Sequence, residues 1–396
     1  MNGLRPLLGH EHIRETLATA AGRGELPAAL LLHGPPGIGK QRLGLWLAQR
    51  LICEAPREIE PCGTCHGCHL AVHLEHPDIH WFFPLPRPRS GGGADRLGEA
   101  LEEARAAELD ARRTDPWYPT NPNEPTGIYV AHVQVIRRIA VARPAMGRRK
   151  VFIVGDAESL VPQEASPEAA NALLKLLEEP PPDTTVILTA SDVDALLPTI
   201  RSRLLSVRVL PLPIERLETF LRDERGIDND QAARVARLAE GSIGRAFAFL
   251  PTDGEPGPLE AARLQALALL DAALENGHAR YASALRQAPA RARGDFATVL
   301  AMLIVWLRDL AAVAVGADDT VVNADHADDL RRRAASLPDA AHRVTRAIPE
   351  VERMLQLVTF NINPQLALAT LLGSLAKRLG TDETAPSRRR PARAAR

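Results

Sequence analysis

The feature of this sequence that most constrains its fold is a glycine-rich loop that joins an apolar run to an amphipathic segment. The apolar run Ala29–His33 is followed by GPPGIGKQ at residues 34–41, and the next segment, which ends at Ile52, repeats its apolar side chains at helical spacing. A strand, a glycine-rich loop and a helix in this order are the setting of a phosphate-binding loop in an α/β domain. The other interpretation is an ordinary glycine- and proline-rich turn between a strand and a helix.

Three glycines and one lysine of this loop carry the chemistry. Gly34, Gly37 and Gly39 would allow backbone N–H groups to surround phosphate oxygens at a helix N-terminus. Lys40 is placed to reach the terminal phosphates, and it is one of only four lysines among 48 basic residues, so a lysine here is a specific choice over arginine. The loop therefore predicts a nucleotide-binding site.

The two side chains that would hold Mg²⁺ beside a nucleotide are missing from their usual positions. After the lysine, a phosphate loop normally has Ser or Thr as a magnesium ligand, and this chain has Gln41. The strand predicted at Val151–Val154 is followed by Gly155 where an Asp would bind the metal, and Asp156 comes one residue late. We expect weak binding of ATP or ADP without a complete Mg²⁺ site, and poor hydrolysis. The alternative is a strand bulge that restores Asp156 as a ligand.

Strand and helix patterns alternate through the first half of the chain and then give way to helices alone. Four further β-rich runs are Ile79–Phe83, Val151–Val154, Thr185–Thr189 and Leu204–Val209. Alternation of this kind predicts a mainly parallel sheet that is covered by helices on both faces. After residue 213 only helical patterns follow.

The length of 396 residues exceeds what one hydrophobic core usually serves, and the patterns divide the chain into four parts. We expect an α/β domain at 1–210, a small helical domain at 211–252, an all-α domain at 258–380 and a disordered basic tail at 381–396. Residues 84–126 are rich in Pro, Gly and charge. They predict a largely exposed insertion in the first domain, with a helix over Arg96–Arg112.

The composition excludes several classes of protein. With 45% hydrophobic residues, 24% charged residues and a formal net charge of −1, the chain is neither a disordered nor a strongly basic protein. The longest apolar runs, such as Ala301–Leu307, are shorter than the roughly 18–20 residues that cross a bilayer. The N-terminal MNGLRPLLGH lacks the pattern of an export signal. We therefore expect a cytoplasmic protein with no membrane partner.

All four cysteines lie close together, as Cys53, Cys62, Cys65 and Cys68. Their spacing favours one tetrahedral, structural Zn²⁺ site in a module at 53–68, because two-residue spacers let successive sulfur atoms converge on one ion. The C-x-x-C-H sequence at Cys62 also matches covalent haem attachment, which needs export and leaves two cysteines unused. An iron–sulfur cluster, a disulfide and an unligated cluster are the remaining alternatives.

Further segments complete a set that resembles a known family. Residues 171–181 read NALLKLLEEPP, and Arg201, Ser202 and Arg203 precede the last predicted strand. Together with the phosphate loop and the four cysteines, they resemble the AAA+ subunits of bacterial clamp loaders. The resemblance implies an α/β P-loop AAA+ domain with a four-cysteine zinc insertion, then a helical lid domain at 211–252 and a helical collar or oligomerisation domain at 258–380.

The resemblance also implies partners and a role for one arginine. Arg203 matches the arginine that completes a neighbouring subunit's ATPase site in trans; the alternative is an ordinary surface arginine in an arginine-rich chain. The implied partners are the tau/gamma and delta types of clamp-loader AAA+ subunit in a hetero-oligomer, the sliding clamp, and primed DNA through the complex. Gln41, Gly155 and Gly244 depart from the motor subunits of the family at positions that serve nucleotide chemistry.

These departures favour a non-hydrolysing or weakly nucleotide-binding subunit that assists ATP-dependent loading of the sliding clamp within the DNA polymerase III holoenzyme. Two other functions stay open on the sequence. One is an active AAA+ motor ATPase of the clamp-loader type. The other is a zinc-bearing nucleic-acid-binding module, against which stands an aromatic content of only 4%, too low for an evident base-stacking stripe.

Overall fold

The chain forms two compact units, one of residues 1–227 and 239–247 and one of residues 228–238 and 248–396. The computed structural model describes residues 3–5, 7–88, 94–114, 126–160, 168–252, 254–275, 282, 286, 293–358 and 362–381. The three-domain division with boundaries at 210 and 252 stays a prediction. The predicted basic tail, except for Thr381, lies outside the described residues.

The first unit is built on a five-stranded parallel sheet with the strand order β2-β5-β6-β1-β7. The strands are β1 (Ala29–His33), β2 (Ile79–Phe82), β5 (Lys150–Val154), β6 (Thr184–Ala190) and β7 (Leu205–Arg208). All five predicted strands are therefore confirmed. A separate antiparallel pair, β3 (Leu85–Pro86) with β4 (Thr126–Gly127), joins the two ends of the insertion.

Helices cover both faces of the sheet because successive strand residues point to opposite sides. Leu31, Phe152 and Leu188 face a cluster with the α5 and α6 side chains, whereas Leu30 and Ile153 face a cluster with α1 and α2. The helices before the second unit are α1 (Glu11–Arg23), α2 (Lys40–Ile52), α3 (His66–Val72), α4 (Ala94–Thr114), α5 (Val130–Ala140), α6 (Glu168–Glu178), α7 (Pro198–Arg201) and α8 (Ile214–Arg225). The predicted α/β fold is confirmed.

Helix α4 corrects the expectation of a largely exposed insertion. The predicted helix is present and slightly longer, but its Leu101 is only 1% exposed and belongs to the cluster that covers the α1 and α2 face of the sheet. Leu97, Ala104 and Leu109 pack against the same cluster. The reason is the apolar stripe of the helix, which the charged composition of the segment conceals.

Asp78 is fully buried and organises the loop between α5 and β5. Its carboxylate accepts hydrogen bonds from the backbone N–H groups of Ala145 (2.6 Å), Met146 (2.8 Å) and Gly147 (2.8 Å). Burial alone would raise the pKa of Asp78, but these donors outweigh it and hold the pKa below its usual value. The ionised carboxylate is therefore the form that stabilises the fold.

Replacing Asp78 by asparagine is expected to lower the free energy of unfolding by about 2–4 kcal/mol at neutral pH, because an amide N–H₂ cannot accept these bonds. A depressed carboxyl pKa stabilises the fold above the unfolded-state pKa of about 4, and the stability is lost as the pH falls through the folded-state value. Urea unfolding from pH 7 down into the acid range measures both effects. Asp223→Asn, an exposed position on α8, is the matched control and should change stability by less than about 0.5 kcal/mol.

The second unit consists of helices within the described residues. They are α9 (Asn229–Leu238), α11 (Pro258–Leu274), α12 (Arg293–Ala314), α13 (Ala327–Ser336), α14 (Ala340–Val358) and α15 (Pro364–Leu379), and α10 (Ile243–Phe249) spans the boundary between the units. Arg234 of α9 forms ion pairs with Glu260 (3.1 Å) and Asp325 (3.6 Å), so α9 is joined to the helices that follow residue 248.

Helix α12 contradicts the expectation that no segment has the length and hydropathy of a membrane span. Its residues Phe296–Ala314 satisfy that test, with a mean hydropathy of 1.9 over an 18-residue window. The helix packs against α11 and α14, and its Trp306 is fully buried. Its buried Asp309 carboxylate accepts hydrogen bonds from the backbone N–H groups of Val322 and Asn323. The core helix of a folded domain passes the same test.

Candidate nucleotide site and metal centre

The phosphate loop lies at the carboxyl end of β1, beside the carboxyl ends of β5 and β6, where α/β sheets bind ligands. Gly34, Gly37 and Gly39 all have positive φ angles. A Cβ at Gly34 would lie 2.2 Å from the Val209 carbonyl oxygen, and a Cβ at Gly37 would lie 2.5 Å from Ser242 Oγ. The loop therefore needs glycine at these positions, as its sequence predicted.

Lys40 is 5% exposed and points back onto its own loop. Its Nζ donates hydrogen bonds to the carbonyl oxygens of Gly34 (2.9 Å) and Pro35 (2.8 Å) and to Ser191 Oγ (2.9 Å). Burial lowers the pKa of Lys40, although Asp156 and Glu158 act in the opposite direction. All three N–H donors of the ammonium group have partners within the chain, so a phosphate would have to replace some of them.

Gln41 occupies the position of the missing magnesium-binding hydroxyl. Its Oε1 accepts a hydrogen bond from Trp81 Nε1 (2.9 Å), and its Nε2 donates to Asp156 Oδ2 (2.9 Å). An indole nitrogen can only donate, so it fixes which end of the amide faces Trp81. Gly155 lies against the same amide, because a Cβ there would be 2.5 Å from Gln41 Cδ.

Two carboxylates follow β5. Asp156 has a left-handed backbone (φ 49°), its side chain accepts from Gln41, and its backbone N–H donates to Thr189 Oγ1 (3.1 Å). Glu158 Oε1 accepts a hydrogen bond from the backbone N–H of Ser191 (2.9 Å). Burial raises the pKa of both carboxyls. The sequence interpretation missed Glu158, Ser191 and Thr189. Thr189 lies near the carboxyl end of β6 and Ser191 directly follows that strand, so both could have been found from their place beside β1.

The segment Gly241–Arg245 lies directly on the phosphate loop. The Gly244 N–H donates to the Gly37 carbonyl oxygen (2.9 Å), and Ser242 Oγ donates to the Pro36 carbonyl oxygen (3.0 Å). A Cβ at Gly244 would lie 2.9 Å from Gly37 Cα. A side chain at this position therefore does not fit beside the loop. The neighbouring Arg245 is ion-paired with Glu240 (3.2 Å).

The four cysteines form the second candidate site. The sulfur atoms of Cys53, Cys62, Cys65 and Cys68 all lie within 4.8 Å of one another. Backbone N–H groups point at these sulfurs: Cys62 N donates to Cys53 Sγ (3.2 Å), and Cys68 N donates to Cys65 Sγ (3.4 Å). Such donors stabilise thiolates, and the convergence of four sulfurs fits a tetrahedral metal ion.

The thiols of this cluster have unlike environments. Backbone N–H groups of Thr64 and Cys65 lower the pKa of Cys62 to about 6. Burial raises the pKa values of Cys53 and Cys68. A bound metal ion deprotonates its thiol ligands outright, and its positive charge offsets the cost of burying the thiolates of Cys53 and Cys68. The cluster can therefore hold a metal, and with four protein ligands its role would be structural.

Arg203 follows α7 and precedes β7. Its guanidinium donates to the Thr199 carbonyl oxygen (2.7 Å) and forms an ion pair with Glu178 (2.5 Å), and its side chain is 33% exposed. Arg201 is ion-paired with Asp194 (2.8 Å). Arg203 thus reaches the surface in a defined orientation and makes no hydrogen bond or ion pair with the phosphate loop among the contacts described for this side chain.

Two family profiles match the chain. The family described as "DNA polymerase III, delta subunit" matches residues 9–213, more than half of the chain. The family described as "DNA polymerase III, delta subunit, C terminal" matches residues 261–377. The parallel sheet, the four-cysteine cluster and the helical C-terminal region confirm the predicted α/β fold with its cysteine insertion.

Several characterised proteins are similar to this chain. DNA polymerase III subunit delta' of Escherichia coli is 31% identical over 233 residues, which are 59% of this chain and 57% of that protein. The delta' subunit of Pseudomonas aeruginosa is 33% identical over 208 residues, 51% of this chain and 50% of that protein. The tau subunit of Salmonella typhimurium is 27% identical over 334 residues, 79% of this chain and 45% of that protein.

The match therefore spans about half the length of these delta' relatives, 57% of one and 50% of the other. Among solved structures, a DNA polymerase III gamma subunit-related protein from Thermotoga maritima aligns with 92% of this chain and 99% of its own. Its TM-score is 0.36 and its sequence identity is 16%.

Proposed function

The chain belongs to the DNA polymerase III delta-prime family of clamp-loader subunits, and from this we propose that it is the non-hydrolysing member of a clamp loader. In this function it assists ATP-dependent loading of the sliding clamp onto primed DNA. Its partners are AAA+ subunits of the tau/gamma and delta types in a hetero-oligomer, and DNA is reached through the complex. The complex works in the cytoplasm.

The observation that carries the non-hydrolysing role is the engagement of Gln41. Its amide oxygen accepts from Trp81 and its amide nitrogen donates to Asp156, so the side chain is held in place and offers no hydroxyl to a metal ion. Gly155 offers no carboxylate. Phosphoryl transfer depends on Mg²⁺ to neutralise negative charge on the transferred group. Without the positive charge of the metal ion, the activation barrier stays high. ATP or ADP binds weakly, if Lys40 exchanges its partners within the loop for phosphate oxygens.

The purified chain is expected to show no ATP turnover above that of its Lys40→Ala variant, because hydrolysis at this site lacks both metal contacts. Phosphate release from radiolabelled ATP, with and without primed DNA, measures this. Steady turnover that Lys40→Ala abolishes would overturn the proposal and favour the active motor ATPase. Lys377→Ala, at a site on α15 in the other unit, is the control for loss of a lysine.

We also propose that the metal of the cysteine cluster is Zn²⁺ and that its role is structural. Support comes from the all-sulfur donor set and from the convergence of its four atoms within 4.8 Å of one another, which suit Zn²⁺ better than Mg²⁺ or Ca²⁺. The ion would be held by Cys53, Cys62, Cys65 and Cys68, with no open position for water. It would join the end of α2 to α3, since Cys53 follows α2 and Cys68 lies within α3.

The last part of the proposal is that Arg203 acts on a neighbouring subunit's nucleotide. A guanidinium remains charged and offers a rigid fork of donors for a γ-phosphate. The surface position of Arg203 supports this role, and its ion pair with Glu178 would be exchanged for phosphate when a partner docks. An exposed ion pair of this kind contributes about 0–1 kcal/mol to stability, so exchanging Glu178 for a phosphate costs little free energy.

A further inference from the structure

The insertion has no role in the function proposed so far, yet its helix α4 lies beside the residues that replace the magnesium ligands. The Arg105 guanidinium lies 4.8 Å from the ring centroid of Phe82. The Arg112 guanidinium lies 4.5 Å from the ring of Trp81 and 3.9 Å from that of Phe83. Helix α4 thus stacks cations on three consecutive aromatic residues at the end of β2.

One of these aromatic residues connects the helix to the phosphate site. Trp81 donates its indole N–H to Gln41 Oε1, and Gln41 in turn donates to Asp156. The side chain of Gln41 is therefore held at both ends of its amide. It fills the space directly above Gly155, whose Cβ would lie 2.5 Å from Gln41 Oε1.

The backbone at residue 155 does not itself require glycine. Gly155 is not among the described glycines with positive φ, so an L-residue could adopt its conformation. All three of the nearest atoms to a Cβ at 155 belong to the Gln41 amide. The obstacle to a larger residue at 155 is therefore Gln41, and the second departure from the usual metal ligands depends on the first.

The residues present do not fit the Mg²⁺ ion that the AAA+ fold implies. A hydroxyl at 41 and a carboxylate at 155 are absent, and the Gln41 amide has a hydrogen-bond partner at each end. The two carboxylates that follow β5 already accept hydrogen bonds, Asp156 from Gln41 and Glu158 from the Ser191 N–H. We propose that Trp81, Gln41 and Gly155 form one coupled unit, positioned by the insertion helix α4, that occupies the metal site and excludes Mg²⁺. Position 155 can then gain a metal ligand only if Gln41 is replaced as well. This inference rests on the proposed non-hydrolysing function.

The coupling is tested first by stability. Gly155→Ala is expected to lower the melting temperature by several degrees in the full chain, and Gln41→Thr, whose side chain is shorter, is expected to remove most of that loss. Gly98→Ala on α4 is the matched control, because a Cβ there meets no atom within 4 Å; it should not lower the melting temperature. If Gly155→Ala lowers the melting temperature equally in the unmodified chain and in the Gln41→Thr variant, the coupling is overturned.

The positioning role of Trp81 has its own readout. Trp81→Phe keeps a ring against Arg112 but removes the donor that holds Gln41 Oε1. With phenylalanine at 81, Gln41 can turn away. Gly155→Ala should then lower the melting temperature by about half as much as it does in the unmodified chain. An unchanged cost would show that Trp81 does not position Gln41, because a merely structural role for Trp81 would leave the effect of Gly155→Ala the same.

The exclusion of metal is tested with a fluorescent ADP analogue titrated in Mg²⁺ and in EDTA. The unmodified chain should give the same affinity in both, within twofold, or no binding in either. The Gln41→Thr/Gly155→Asp variant should bind at least tenfold more tightly in Mg²⁺ than in EDTA. The inference is contradicted if the unmodified chain binds the nucleotide in a metal-dependent way, or if the double variant shows no metal-dependent binding. ATP turnover by the unmodified chain is a separate result, and it is the one that overturns the proposed function.

Discussion

Alanine at position 203 is expected to slow DNA-stimulated ATP hydrolysis and clamp loading by the reconstituted clamp loader. Arginine fingers supplied in trans are worth about 10³–10⁵ in rate at the site they complete. The loss at the one neighbouring site should fall in that range, while other sites in the assembly dilute the loss in total turnover. The physical cause is the removal of a fixed positive charge from a developing negative charge on the γ-phosphate. Pre-steady-state phosphate release resolves the affected site from the others.

Arg201→Ala is the matched control for this prediction. Arg201 lies two residues away, is also on the surface, and is ion-paired with Asp194. It should leave hydrolysis and loading unchanged, and both variant complexes should assemble normally by gel filtration. If Arg201→Ala impairs the complex and Arg203→Ala does not, the finger is the other arginine. If neither variant has an effect, the chain supplies no finger.

Loss of two cysteine ligands is the second change with a large expected effect. The double variant Cys62→Ser/Cys65→Ser should fall from about one zinc per chain to almost none, because two of the four ligands are gone. Structural zinc in small domains binds with apparent free energies of about 10–16 kcal/mol, and this binding energy is also folding energy. The segment between α2 and α3 should therefore lose its order, and amide hydrogen exchange there should become fast.

Metal analysis after dialysis against a weak chelator measures the first effect, and exchange mass spectrometry measures the second. His66→Gln is the control, since His66 lies between two of the cysteines but is not a member of the cluster. This variant should keep its zinc and its protection from amide hydrogen exchange. Iron in the unmodified chain would favour the iron–sulfur alternative, and undiminished zinc in the double variant would show that these sulfurs are not the ligands.

Local patterns were sufficient to predict the fold of the first unit. The apolar runs at β1, β5 and β6 are long and bounded by turns, so their assignment as buried parallel strands is confirmed. Helix α4 was predicted but its burial was not, because the stripe that carries Leu101 is masked by many charged neighbours. The length of the apolar segment in α12 was underestimated, because only uninterrupted apolar runs were considered. Charged residues such as Asp309 interrupt the run but do not prevent its burial when backbone donors satisfy them.

Less of the candidate site than of the fold could be predicted from the sequence. The positions of Gly37, Lys40 and the four cysteines follow from motifs, because each motif lies within a short stretch of chain. In the sequence, Gln41 and Gly155 are two separate departures from the usual magnesium ligands, far apart along the chain. The structure joins them through one side chain, and that contact spans more than a hundred residues of sequence. No local pattern carries this information, since it depends on the packing of α2 against the end of β5.

Native mass spectrometry of the assembly isolated from its own cells through a tag on this chain tests directly whether the chain is a clamp-loader subunit. The account predicts a hetero-oligomer that contains this chain together with AAA+ subunits of the tau/gamma and delta types. Its mass resolves the number of copies of each subunit. Recovery of the chain alone, as a homo-oligomer, or with nucleic acid but no AAA+ partner would contradict the assignment as a clamp-loader subunit.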